Sequence, residues 1–388
     1  MSEAGSALVV DGAAGPALAF VRSLGRAGWR VVAIAGTRSA RSRYAAGAVD
    51  VPDVCEAPER FADAVAREVA RHRIELVVPS TDASLLALHS LGGRLAGVRI
   101  LGGAPAWTDK PWALEAAARA GFPVPRWLAP AGAPEALEGL RELGAPCVVK
   151  PRRSYVPVDG RLVQRRHGFA WDAASLASQL RRLAEPNGEL PLLEEYVPGR
   201  AMSVGAVLIG GRVVASAARE TFSFAPVVGG NSVWKRTVPL DDVGVQDALA
   251  LLVAENYVGL GEVEYQIDAA GTPRFMEISP RPFGWLPLAI RAGVDLPLLA
   301  ANGATGRATG SPPRYRAGVE MRWPTGELAR LREALARDVQ LPPGVTRRAV
   351  IAKTWPPWRP GMSYDGLDVD DLGPWLPRLL RRPRPRRA

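Results

Sequence analysis

The first hundred residues alternate short apolar runs with helix-length amphipathic segments, and that alternation leaves few folds open. "ALVVDG" reads as a buried strand, "GPALAFVRSLGRAG" as a helix and "WRVVAIAG" as the next strand. A helix follows at "PERFADAVAREVARH", a strand at "IELVVPS", a helix at "DASLLALHSLGG" and a strand at "VRILGG". Strands of this kind joined through helices build a doubly wound parallel sheet. One α/β domain is therefore expected over residues 1–105. Its first turn, Asp11-Gly-Ala-Ala-Gly15, can turn backbone N–H groups toward an anion. It lacks the full dinucleotide fingerprint, so a tight turn is the default reading. "PSTDAS", from Pro79, ends a strand at a similar turn, where it can line a ligand crevice.

After residue 105 the pattern becomes α+β. "TDKPWALEAAARAGFPVPRWLAP" gives a helix capped by Asp109 and stopped by Gly121 and Pro123. "PEALEGLRELG" is a helix, and "APCVVKP" a strand ending in Lys150-Pro151. Residues 152–170 read as a polar, Arg-rich loop or loose hairpin turning at Asp159-Gly160. "DAASLASQLRRLAE" is a helix, and "PLLEEYVPG" a strand that runs out at Pro198-Gly199. "MSVGAVLIGGRVVASAARE" is a hairpin turning at Gly210-Gly211. "FAPVVGGNSVWKRTV" is a glycine-containing loop feeding a strand, and residues 241–256 are a helix. "WLPLAIRAGVDLPLLAANGATG" gives two helices around a turn. Residues 311–388 are rich in Pro, Trp and Arg, with one clear helix at "GELARLREALARD". Trp323, Trp355, Trp358 and Trp375 suggest that this segment packs on something.

The stretch "GEVEYQIDAAGTPRFMEISPRPFG" reads as two strands joined at Asp268–Thr272. A two-residue and a four-residue loop give the same register, which sets Glu264 opposite Glu277. Ser279 shares their face, while Val263, Tyr265, Ile267, Met276 and Ile278 form the core face. Directly opposed like charges are destabilising. A divalent cation held between them would explain the pair, because Mg²⁺ takes carboxylate oxygens and shares its shell with phosphates. The plain alternative is a solvated face that tolerates its acids.

Composition sets the outer limits. At 388 residues, 47% hydrophobic and 23% charged, the chain suits a globular protein of two or three domains. No 18-residue apolar run is free of charge, so no membrane span is expected. No basic segment precedes the first apolar run, so no secretory leader is expected either. Cys55 and Cys147 form no disulfide or metal pattern, which points to a reducing cytoplasm. The three histidines, His72, His89 and His167, are scattered, and no nucleophile-elbow pattern occurs. The net charge of +10 owes part to a tail, "RLLRRPRPRRA", that reads as a solvated, disordered end. Of 49 basic residues only Lys110, Lys150, Lys235 and Lys353 are lysines. A retained Lys hints at a site wanting a compact ammonium rather than a planar fork.

Three signals now stand in order: Lys150 at a strand end, Glu194-Glu195-Tyr196-Val197 at another, and the acidic hairpin. A strand-end Lys can meet phosphate, a broken strand edge can pair with a purine, and two carboxylates can hold Mg²⁺. Together they describe a nucleoside triphosphate site. Their order and spacing resemble the ATP-grasp superfamily over roughly residues 5–310, in the manner of its carboxylate–amine ligases and of the carbamoyl-phosphate synthase large chain. The motifs that carry the resemblance are "TDKPWALEAAARAGFPVP", "APCVVKP", "LLEEYVPG", "GEVEYQID…FMEISPR" and "AGVDLP".

The resemblance implies a Rossmann-like domain (1–105) preceding a two-lobed grasp, with a small lobe at 106–188, a large lobe at 189–310 and a C-terminal extension at 311–388. It implies ATP and Mg²⁺ as cofactors. Lys110 and Lys150 would touch phosphates. Glu195 and Val197 would offer backbone groups to adenine, with Glu194 nearby. Glu264 and Glu277 would bridge the metal, with Ser279 as a weaker ligand where Asn is usual. Arg281 would stabilise phosphoryl oxygens, and Lys235 or Arg236 would lie near the γ-phosphate. Ala201 stands where a ribose-binding Glu is usual. The loop after Lys150 is poor in glycine, which leaves Arg152, Arg153, Arg165 or Arg166 to clamp phosphate by charge.

The expected function is an ATP-dependent ligase that activates a carboxylate as an acyl phosphate and joins it to an amine. The alternatives are a catalytically degenerate grasp protein that binds a nucleotide or ligand, and a nucleic-acid binder led by the basic tail. Few aromatics interleave with that tail, which counts against the second. The expected partners are small-molecule carboxylates and amines, with no membrane and no nucleic acid; a homo-oligomer is compatible with the reading.

Overall fold

The apolar runs of the first hundred residues pair into a five-stranded parallel sheet, in the order Gly47–Val49, Arg30–Ile34, Ser6–Val9, Leu76–Val78, Arg99–Ile100. The structure is a computed structural model that describes residues 5–11, 15–227, 229–310, 314–336, 341, 344–354 and 361–376. Both faces of this sheet are covered, which is why its strands lack polar alternation. Ala7 and Val9 face the helix Gly15–Arg26, while Leu8 and Val10 face the helices Pro58–His72 and Asp82–His89. Gly12, Ala13 and Ala14 of the first turn lie outside the described residues.

A four-stranded antiparallel sheet follows, ordered Gly168–Ala170, Cys147–Lys150, Leu192–Glu195, Trp127–Leu128. Cys147, Val149 and Leu193 pack on the helices Ala133–Leu143 and Ala173–Leu183. Strand alternation then turns Val148, Lys150 and Glu194 to the other face. The Arg-rich segment forms a separate hairpin, Tyr155–Val158 with Arg161–Gln164.

The third sheet has seven strands: Pro273–Ser279, Gly259–Ile267, Arg200–Ile209, Arg212–Ala225, Asn231–Thr237, Glu320–Arg322 and Ser363–Tyr364. Val204, Ala206, Leu208, Val263, Tyr265 and Phe275 pack beneath the helices Lys110–Arg119 and Val245–Ala254. The opposite face carries the acidic residues at one end. At the other end Val207, Ala217 and Leu260 pack against Phe283, Trp285 and the helix Leu296–Ala304.

Several expected boundaries move. The strand Leu192–Glu195 belongs to the four-stranded sheet, so the small sheet ends after Glu195 rather than at 188. The helix Lys110–Arg119 packs with the seven-stranded sheet, not the smaller one. The segment beyond 310, expected as a C-terminal extension, adds two strands to the seven-stranded sheet. Its strands Glu320–Arg322 and Ser363–Tyr364 cover the edge that Asn231–Thr237 would otherwise leave open. A second helix, Arg347–Thr354, packs on Pro324–Leu335. Trp323 donates its backbone N–H to the Val233 carbonyl at 2.8 Å, and Trp375 donates Nε1–H to the Gly366 carbonyl at 2.6 Å. Trp355, Trp358 and the basic tail lie outside the described residues. Among the described residues no helix is long and apolar enough to cross a membrane.

The register of the acidic hairpin holds where the chemistry is and slips beyond it. Glu264 pairs with Glu277 and Glu262 with Ser279, but Tyr265 pairs with Phe275. A β-bulge therefore takes up Met276. The bulge reverses one expectation: Phe275 is the fully buried core residue, and Met276 lines a cavity instead. The bulge also leaves the Met276 carbonyl 3.4 Å from Lys150 Nζ, to accept from the ammonium.

Candidate active site

A cavity of about 870 Å³ opens between the four-stranded sheet and the acidic face of the seven-stranded one. Its floor is laid out by strand register. Residues paired across adjacent strands share a face. Arg219 pairs with Ser203, Ser203 with Glu264, and Glu264 with Glu277. These four side chains form one row across four strands. Two residues along, Ala217, Gly205, Glu262 and Ser279 form the next row. Gly205 is required there, because a Cβ would come 2.3 Å from the Phe283 ring. Phe283 and Trp285 close this end of the floor, their rings 4.8 Å apart.

The roof comes from the small sheet. Lys150 Nζ lies 2.6 Å from Glu194 Oε2, an ion pair nearly sealed from solvent. Glu194 is 1% exposed, and its other oxygen, Oε1, is buried with no hydrogen-bond partner among the described residues. Past the end of this strand, no hydrogen bond among the described residues uses the Val197 N–H or C=O. Glu195 differs. Its N–H donates to the Arg126 carbonyl at 2.9 Å, and its carboxylate accepts from Arg126 N–H and Nε–H at 2.9 and 2.7 Å. These bonds commit much of Glu195 to fixing the strand end. His167, Phe169 and Tyr196 stand edge-to-face along the wall.

Lys110 begins its helix behind the Asp109 cap, which accepts from Trp112 N–H at 3.3 Å. Its ammonium donates to Ser154 Oγ at 3.3 Å. Burial pushes its pKa down; Glu277 pulls the other way and Lys150 adds to the fall. Arg281 follows the hairpin and donates Nε–H to Asp82 Oδ1 of the first domain at 2.8 Å. Burial works against its charge, but Asp82, Glu262 and Glu277 outweigh it and hold the guanidinium protonated. Glu264 is pushed well above the usual carboxylate range by burial first, then by Glu262 and Glu277. No hydrogen bond or ion pair among the described residues satisfies the carboxylates of Glu264 and Glu277.

Lys110, Lys150, Glu194, Glu195, Val197, Glu264, Glu277, Ser279 and Arg281 thus all line one cavity. Lys235 and Arg236 do not. The C-terminal strands run past Lys235, which is 1% exposed, and Asp365 takes its ammonium at 2.9 Å. Arg236, one residue on, turns to the other face, with Glu220 Oε2 at 3.5 Å and the Phe222 ring at 5.1 Å. Arg152 and Arg153 are both spent on Asp109, at 2.7 and 2.5 Å, whereas Arg165 and Arg166 reach the cavity wall. Among the lining residues that carried no assignment from sequence are Glu262, Arg219 and, from the C-terminal segment, Arg330. Glu262 was within reach, since it alternates with Glu264 and faces Ser279 in the same register. Arg219 and Arg330 had no local signal.

Both nucleotide and metal are tested by these groups. The orphaned Glu194 Oε1 is an acceptor in want of a donor, and the Val197 peptide offers a second pairing edge. Glu264, Glu277 and Ser279 supply hard oxygen, the donor type suited to Mg²⁺. Among the described residues no three or more His, Cys, Asp or Glu side chains close on one point. The acids therefore suit a metal shared with phosphates rather than an all-protein cage.

This architecture recurs in solved structures. Biotin carboxylase from Campylobacter jejuni, in complex with beta-gamma-ATP, matches with a TM-score of 0.64 and 17% identity, over 82% of this chain and 74% of that one. The biotin carboxylase domain of the Hydrogenobacter thermophilus 2-oxoglutarate carboxylase, holding MgADP, ADP and bicarbonate, matches at 0.65 and 16% identity over the same shares. N5-carboxyaminoimidazole synthetase from Staphylococcus aureus matches at 0.61 and 13% identity, over 81% of each chain. A sequence model described as "ATP-grasp in the biosynthetic pathway with Ter operon" matches residues 189–327. The fold is ATP-grasp. The matched span of the grasp contains the acidic hairpin, Val197, Arg219 and Arg281, while the helix Arg347–Thr354 that adds to the cavity wall falls after it.

Proposed function

We propose that this ATP-grasp protein is an ATP-dependent carboxylate–amine ligase. One observation carries the reading: two directly opposed carboxylates, unpaired among the described residues, lie on the floor of a cavity that Lys110, Lys150 and Arg281 also line. Facing acids without partners are unfavourable unless a cation joins them. Three basic side chains around them suit a polyanion such as triphosphate.

The chain's own residues divide the work. Glu194 Oε1 and the Val197 peptide accept and donate to the purine, and the aromatic wall at Phe169 and Tyr196 covers it. Lys150 and Lys110 neutralise the phosphates. Glu264 and Glu277, with the Ser279 hydroxyl, hold Mg²⁺, which when bound draws charge from the transferring phosphoryl group. Arg281, fixed by Asp82, faces the same group. A substrate carboxylate oxygen bonds to the γ-phosphorus as the bond to the ADP oxygen breaks. An amine then forms the C–N bond, phosphate leaves with the acyl oxygen, and the amine gives up a proton. Catalysis rests on positioning and charge neutralisation, without a protein nucleophile.

The test is an ADP-release screen over amino acids, dipeptides and hydroxy acids, with Glu277→Gln as the inactive control. A pair that raises ADP release in wild type and not in the variant supports the reading. Equal phosphate release from both proteins removes it and leaves a binding role without turnover.

A further inference from the structure

We propose that Arg219 is a second anion-binding arginine of the reacting centre, held in place by Glu262 and Trp285, so that the carboxylate undergoing activation lies between Arg219 and the metal site. This rests on the ligase reading and specifies where its first substrate sits. Arg219 is 5% exposed, yet it lines the cavity. It stands in the same row as Glu264 and Glu277, separated from Glu264 by Ser203 alone. Strands lie about 4.8 Å apart, so its backbone is about 10 Å from that of Glu264. That spacing leaves room for a carboxylate or phosphate between the guanidinium and a cation on the hairpin.

The guanidinium is braced from two sides. Its NH2 group donates to Glu262 Oε1 at 3.2 Å, and the Trp285 ring lies 5.4 Å from its centre. Trp285 Nε1–H donates to the same Glu262 oxygen at 2.6 Å. Gly205, between the strands of Arg219 and Glu262, leaves the reach open. NH1 donates to Thr221 Oγ1, but the buried Nε–H has no partner among the described residues. A buried, rigid and incompletely satisfied Arg fork suits a planar carboxylate or a phosphoryl group. Glu262 is then a positioning residue: its Oε1 is spent on Arg219 and Trp285, and it acts on substrate through Arg219.

The experiment uses inorganic phosphate as the probe, titrated calorimetrically into the full chain saturated with MgADP. MgADP affinity is measured first. No MgADP binding by wild type overturns the ligase reading and this inference together. With MgADP bound, saturable phosphate binding is expected. Arg219→Gln should weaken it about tenfold or more, as loss of a charged hydrogen bond does, with MgADP affinity unchanged. Arg219→Lys should recover part of the loss. Glu262→Gln should weaken phosphate binding less than Arg219→Gln. Because Arg219→Gln leaves a buried carboxylate unpaired, the double variant Arg219→Gln/Glu262→Gln repeats the measurement with charge balanced. Phosphate affinity equal to wild type in the folded double variant overturns the inference while leaving the ligase reading intact. So does the absence of phosphate binding to MgADP-loaded wild type.

Discussion

Lys150 Nζ sits 2.6 Å from Glu194 Oε2, so the ammonium proposed to meet phosphate is tethered to the carboxylate proposed to meet the purine. Neither group has much access to solvent, with side-chain exposures of 12% and 2%. Removing one charge strands the other. Lys150→Met should cost about 3–5 kcal/mol of stability and weaken ATP binding at least about tenfold. The double variant Lys150→Met/Glu194→Gln should recover most of the stability and none of the ATP affinity. Thermal melts and nucleotide titration read the two effects apart; a double variant that regains ATP binding would show that Lys150 does not meet phosphate.

Glu264 and Glu277 oppose one another with no partner among the described residues, so in the metal-free protein each is a burden to the other. Glu264→Gln should raise the melting temperature of the metal-free protein by about 1–2 °C, abolish its further rise on adding Mg²⁺ with ADP, and lower ADP release at least about 100-fold. A variant less stable than wild type without metal would mean that the carboxylates are satisfied by something other than a cation.

How much of this was legible follows from how local each signal is. The hairpin was readable because Glu264 and Glu277 lie on either side of one turn, and its loop fixes their register. The bulge at Met276 was not, because an extra residue leaves no mark in an alternating pattern. Arg219 could not be placed at all: its row with Glu264 passes through Ser203, on a strand contacted by two others. The strands Glu320–Arg322 and Ser363–Tyr364 are too short to show a period. Missing them, the family resemblance set Lys235 or Arg236 near the γ-phosphate, when the Lys235 ammonium answers Asp365.

Cys147 lies beneath Glu194, its Sγ–H donating to the Glu194 carbonyl at 3.3 Å. Burial pushes its thiol up to about 12, against a smaller opposing pull from that hydrogen bond. The thiolate is the reactive form, so at pH 8 almost none is present. Iodoacetamide at pH 8 should label the half-buried Cys55 first and reach Cys147 only in denaturant. Prompt labelling of Cys147 in the native protein, read by peptide mass, would mean that the small sheet opens readily.

The C-terminal segment is strapped to the first domain by Asp371. This residue is 2% exposed and accepts from Arg22 Nε–H at 2.8 Å, Ser42 Oγ–H at 2.7 Å and Arg43 N–H at 2.9 Å. Burial alone would raise its pKa, but Arg22, Ser42 and Arg43 hold it below the usual aspartate value. A carboxyl with a depressed folded-state pKa adds stability above its unfolded pKa of 3.8 and loses it as pH falls through the lower folded value. Asp371→Ala should therefore cost about 3 kcal/mol at neutral pH, since it leaves the buried Arg22 unpaired. The gap to wild type should narrow below pH 3.8 as the wild-type carboxyl takes up its proton. Denaturant melts of both proteins from pH 7 to pH 3 measure it. A gap that stays constant with pH would assign the loss to packing rather than to the ionised strap. The strap joins the first domain, which holds Arg281 through Asp82, to the segment that covers Lys235. Loosening it should therefore raise the KM for substrate more than it weakens MgADP binding, whose proposed purine contacts, Glu194 and Val197, lie outside both strapped segments.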